Sequence, residues 1–104
     1  MKAFDPQDHQ DGQVVAYSQW WPIESYKRHL ESRAGVFLFS NKSGQVKYVG
    51  RAGGGGMIKS VKSAISSDKD WDATRVKALY TNSDERARDL KKRLKIKYRP
   101  LNNV

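Results

Sequence analysis

Four consecutive glycines, Gly53 to Gly56, stand just ahead of a segment with helical periodicity, and bare backbone N–H groups at a helix start bind anions. No Lys-Ser or Lys-Thr pair follows them, so a nucleotide-binding P-loop is excluded, and they read as a flexible loop able to lie against a phosphate backbone. Asp68, Asp70 and Asp72 alternate as in a calcium loop. The sixth position is Ala73 and the twelfth Leu79, where such a loop needs Gly and Glu, so a solvated turn is expected. His9 and His29 are isolated and there is no cysteine, which leaves no zinc site and no disulfide framework. What remains is cationic. Between Arg86 and Arg99 stand eight basic residues and one acid, Asp89. Such single-sign crowding repels itself unless a polyanion covers it.

The charge of the whole chain points the same way. Its 104 residues carry a net +9, but residues 1–33 hold 4 Lys+Arg against 5 Asp+Glu, and residues 34–104 hold 16 against 6. The basic excess therefore belongs to the later two-thirds, where its field attracts polyanions, of which nucleic acid is the commonest. Hydrophobic residues at 38% and charged residues at 30% suit one globular domain with a modest core. No apolar run approaches the roughly 18 residues of a membrane span, and the Met1 end lacks the apolar core of a secretory signal. A cytoplasmic protein without membrane contact is the expectation.

The elements that must carry these residues follow from periodicity. Residues 1–12 are polar and unpatterned and are expected to be flexible; residues 13–104 form the single domain. Gln13 to Tyr17 suits an edge strand. Trp20-Trp21-Pro22 leads into a helix with Pro22 at its first position and Ile23, Tyr26 and Leu30 on one face; the tryptophans read as core. Gly35 to Ser40 is nearly all apolar, as in a strand covered on both faces. Asn41 to Gly44 is a turn, and Gln45 to Val49 returns as its hairpin partner. After the glycines, Met57, Ile58, Val61, Ala64 and Ile65 form one helical stripe. Thr74 to Tyr80 is a third strand, with Val76, Ala78 and Tyr80 on one face and Arg75 and Lys77 on the other. The last helix starts at Asn82 with Glu85 as a capping box, Ser83 being the rival cap, and buries Ala87, Leu90 and Leu94. Pro100 marks its end.

Three short words on these elements resemble a known family. Gly35-Val36-Phe37 resembles the GIY word of the GIY-YIG nucleases, and Tyr48-Val49-Gly50, continuing through Arg51-Ala52, resembles their YIG word. Tyr98-Arg99-Pro100, with Asn102 beyond, resembles their closing word. The likeness covers roughly residues 34–103. It implies an α+β fold with a small three-stranded antiparallel sheet flanked by helices, DNA as substrate class and one divalent ion as cofactor. It also implies tyrosines near the attacking water, an arginine on the helix after the second word and a metal-holding glutamate on the last helix.

The chain departs from that pattern at its chemical positions. Phe37 stands where the first tyrosine would be and cannot move a proton. Tyr48 retains the second. The arginine position, allowing a two-residue loop insertion, falls on Ser60, with Lys59 and Lys62 nearby. The glutamate position, counted back from Tyr98, falls on Lys91, which shares the inward face of Ala87 and Leu94; an ammonium cannot ligate a cation and repels it. These losses imply a nucleic-acid-binding domain whose cleavage is reduced or lost, without a cofactor. Arg51, Lys59, Lys62, Lys91, Lys92 and Lys95 would contact phosphates, and the Lys91 ammonium would occupy the metal's place. Two alternatives stand. One is a divergent Mg²⁺- or Mn²⁺-dependent endonuclease using Tyr48 and Lys59, with Glu85 or Asp84 holding the ion. The other is a basic module for an acidic protein partner.

Overall fold

The apolar segment Gly35–Ser40 forms the centre of an antiparallel sheet, and every one of its residues is buried. In this computed structural model, which describes residues 2–53 and 56–103, it is strand β3. Two two-residue strands precede it, β1 (Ala16–Tyr17) and β2 (Trp21–Pro22), followed by a short helix α1 (Tyr26–His29). Strand β4 (Val46–Ala52), helix α2 (Met57–Ser66), strand β5 (Arg75–Tyr80) and helix α3 (Asp84–Tyr98) complete the order. β3 pairs antiparallel with β4 on one side and β5 on the other, and the outer edge of β5 takes both β1 and β2. The sheet thus has five strands where the resemblance implies three, and its three long strands are the ones read from the sequence. The chain is α+β, with the sheet between two helical layers.

Alternation sends side chains to two cores. Phe37, Phe39, Val76, Ala78 and Tyr80 face Met57, Val61 and Ala64 of α2 together with Ile23, Tyr26 and Leu30. Val36, Leu38, Val46, Val49 and Leu79 face Ala87, Leu90, Leu94 and Tyr98 of α3. Helices on both faces explain why β3 reads as a continuous apolar run. Gly35 and Gly50 are dictated by close approach. A Cβ on Gly35 would stand 2.3 Å from the Leu79 carbonyl oxygen, and one on Gly50 would stand 2.2 Å from the Phe37 ring.

Several expectations are corrected. Pro22 does not open a helix; it pairs with Arg75 at the sheet edge, where a missing N–H breaks no ladder, and a 3₁₀ turn at Ile23–Ser25 leads into α1. The tryptophans do pack on the core, as read, but on opposite sides of the sheet: Trp20 on the α3 side and Trp21 on the α2 side, stacked on His29 at 3.7 Å. Ser83, not Asn82, caps α3 by accepting from the Arg86 N–H. Of the four-glycine run, Gly54 and Gly55 lie outside the described residues, and Gly56 caps α2 at a positive φ of 92°.

The N-terminal segment, expected to be loose, holds a 3₁₀ turn at Pro6–Gln10 and packs along α3. Lys97 Nζ bridges Asp5 and Asp8 at 2.9 Å each, and Arg93 meets Asp11 at 2.7 Å. The buried Tyr98 hydroxyl donates to Asp8 and accepts from the Asp5 N–H at 2.9 Å. The same segment covers the side of β5 that carries Lys77, which is only 3% exposed. Its ammonium lies 5.3–5.7 Å from the centroids of Phe4, Tyr17 and Trp20 and donates to the Ser18 carbonyl. Burial pushes it down to about 8.

Candidate nucleic-acid interface

β4 is an edge strand with α2 on one face and α3 on the other, and both helices line a space beside it. That space is a cavity of about 270 Å³. From β4 come Tyr48 and Arg51, from β3 Phe37, from α3 Lys91 and from α2 Ser60 and Ser63, with Ser67 and Lys69 just past its end. The four positions singled out for chemistry, Phe37, Tyr48, Ser60 and Lys91, therefore share one space although they span more than fifty residues of chain.

Each wall has a local cause. Tyr48 follows a bulge at the Phe39/Ser40 end of the hairpin and lies against Phe37 and Phe39, ring centroids 5.9 and 5.7 Å away. Burial raises its phenol further above the working range, so it stays protonated and can donate. Ser60, Ser63 and Ser67 recur at i, i+3 and i+7, one side of α2. The helix stops in a Schellman arrangement: Asp68 takes φ 59°, its N–H bonds the Ile65 carbonyl, and the Lys69 N–H bonds the Ala64 carbonyl. That turn swings Lys69 back to the cavity, which explains part of the Asp68–Asp72 run without any cation. Asn102 holds the turn by donating to the Lys69 and Trp71 carbonyls at 2.8 Å. Asn103 clamps β4 beside Tyr48, accepting from the Val49 N–H and donating to its carbonyl.

The electrostatics are one-sided. Lys91 is half-buried, and burial, then Lys95 and Arg51, depress its pKa below the ordinary lysine value. Arg51 is held by Asp84, whose other oxygen stands 3.8 Å from Arg88. Among the described residues no carboxylate lines the cavity. Of the two acids considered for an ion, Asp84 is committed to these arginines, and Glu85 lines a separate depression with Gln13 and Asp89. Among the described residues no three His, Asp or Glu side chains gather as a metal site. This donor set does not fit a divalent cation: it offers ammonium and hydroxyl hydrogens where a hard cation needs carboxylate oxygens.

A second, wider groove of about 530 Å³ adjoins the first through Arg51 and Lys91 and runs along α3 past Arg88, Lys92, Lys95 and the exposed Ile96. Lys59 and Lys62 are exposed on α2 and line neither space. The cationic helix is thus divided. Arg93 and Lys97 are tied to the acidic N-terminal segment, while Lys91, Lys92 and Lys95 have no ion-pair partner among the described residues. Lys69, Ser63 and Ser67 line the cavity and carry no mark in the sequence beyond the serine spacing; Asp84, considered above for an ion, pairs with Arg51 from outside the lining. The sequence matches no protein-family model, and no curated protein is significantly similar to it. Among the described residues no helix is long and apolar enough to cross a membrane.

Proposed function

We propose that this chain is a GIY-YIG-like nucleic-acid-binding domain in which nuclease activity is reduced or lost, with DNA as its partner. The observation that carries this is the convergence of Lys91, Arg51 and Tyr48 on a cavity with no carboxylate among the described residues. A phosphate suits such a place, and a metal ion does not. The adjoining groove extends the cationic track along α3, as backbone-directed binding requires.

Lys69, Lys91, Lys92 and Lys95 line the cavity or the groove, Lys59 and Lys62 are exposed on α2, and none of the six is ion-paired among the described residues. Arg51 and Arg88 are partly neutralised by Asp84. Six phosphate contacts give a log–log dependence of affinity on salt with a slope of about −5.4 on duplex DNA and about −4.2 on a single strand. A salt titration by fluorescence anisotropy on duplex and single-stranded DNA tests this. A slope near zero, or affinity no greater than that of an unrelated protein of equal charge, removes the reading and leaves a module for an acidic protein partner.

A further inference from the structure

The cavity holds more positive charge than an internal phosphate supplies in return. Arg51 is balanced by Asp84, but Lys69 and Lys91 have no counter-ion among the described residues. The hydroxyls of Tyr48, Ser60, Ser63 and Ser67 have no protein hydrogen-bond partner there either. Two unpaired ammonium groups match a charge of −2. A phosphodiester inside a strand carries −1, whereas a terminal phosphate monoester, with a second pKa of about 6, approaches −2 at neutral pH.

The setting favours such an anion. The C-terminal end of α2 lies here, and its free carbonyls would repel it. Three of them are taken up: Ser63, Ala64 and Ile65 accept from the N–H groups of Ser67, Lys69 and Asp68. Crowding by Arg51 and Lys95 is relieved when an anion sits beside Lys91. The protonated phenol and the serines supply donors that a phosphate's acceptor oxygens can take.

We propose that this cavity binds a dianionic phosphate monoester, the group that ends a nucleic-acid strand, in preference to a diester within one. The inference rests on the nucleic-acid reading above and adds that the protein recognises strand ends or nicks bearing a phosphate. Because close charge pairs at interfaces are strongly coupled, adding the terminal phosphate should tighten binding by about tenfold or more.

The test is anisotropy on the full chain with one oligonucleotide in three forms: 5′-phosphate, 3′-phosphate and both ends hydroxyl. The expected result is about a tenfold preference for one phosphorylated form, lost in Lys91→Gln and in Lys69→Gln. Lys69 sits on a turn outside both cores, so its variant keeps the test valid if Lys91→Gln folds poorly. Equal affinity for all three forms overturns the inference and leaves the nucleic-acid reading intact. Failure to bind any form at low salt overturns both. A nucleoside monophosphate that competes at the same concentration as the phosphorylated oligonucleotide assigns the cavity to a small molecule and also overturns it.

Discussion

Replacing Lys91 with alanine should change how binding responds to salt, not only how tight it is. Each phosphate neutralised contributes about −0.9 to the slope of log K against log salt. The six lysines without ion-pair partners in and around the cavity therefore give about −5.4, which is about a 2,000-fold loss of affinity between about 50 and about 200 mM salt. Without Lys91 five contacts remain, the slope becomes about −4.5, and the same change in salt weakens binding only about 500-fold. The variant should fold at least as well as the parent. Partial burial, then Lys95 and Arg51, disfavour the Lys91 charge, and alanine removes that penalty. Anisotropy titrations at four salt concentrations would resolve the two slopes, with Lys27→Ala, which lines neither cavity nor groove, as control. An unchanged slope in Lys91→Ala, with folding intact, would mean that this ammonium faces no phosphate and that the cavity is not on the binding surface.

Tyr98→Phe leaves the Asp5 N–H without a partner and removes one of two donors to the Asp8 carboxylate, which keeps Lys97. It should destabilise the fold by about 1–2 kcal/mol in urea melts and loosen the N-terminal segment, read by faster exchange of its amide protons. Gly50→Ala drives a methyl into the Phe37 ring and should lower stability by about 1–3 kcal/mol or more, with part of the loss recovered in Phe37→Leu/Gly50→Ala. Lys77 titrates near 8 in the folded chain against 10.5 when unfolded, so between those values the unfolded state holds more protons and stability rises with pH. Measured against Lys77→Met, the wild type should gain up to about 2 kcal/mol from about pH 7 to about pH 9.5, less if the three aromatic rings favour the charged form.

The long elements were legible because their patterns are local. β3 is apolar throughout because both its faces are covered, and the Ala87, Leu90, Leu94 stripe needs nothing but helical spacing. β1 lies at the end of the Gln13 to Tyr17 stretch read as an edge strand, whereas β2, two residues long, is too short to show alternation and exists because the edge of β5 accepts it. That pairing also overrode the helix start suggested by Pro22. The place of the N-terminal segment depends on ion pairs between Asp5, Asp8 and Asp11 and residues at the far end of the chain. No local window contains both partners. For the same reason Lys77 reads as an outward-facing lysine, while the covering aromatics come from residues 4, 17 and 20. At the site, Phe37, Tyr48, Ser60 and Lys91 could be named by position along recognisable words. Lys69 could not, because its approach depends on a left-handed Asp68 that ends α2.

The most direct test of the central claim is incubation of supercoiled plasmid with excess protein in Mg²⁺ and, separately, in Mn²⁺, with Tyr48→Phe alongside. A nucleic-acid-binding domain with a carboxylate-free cavity should retard the plasmid in both ions and leave it intact. Nicking by the wild type that disappears in Tyr48→Phe would contradict it, and would show that the fold still cuts with Lys91 where a metal ligand was expected.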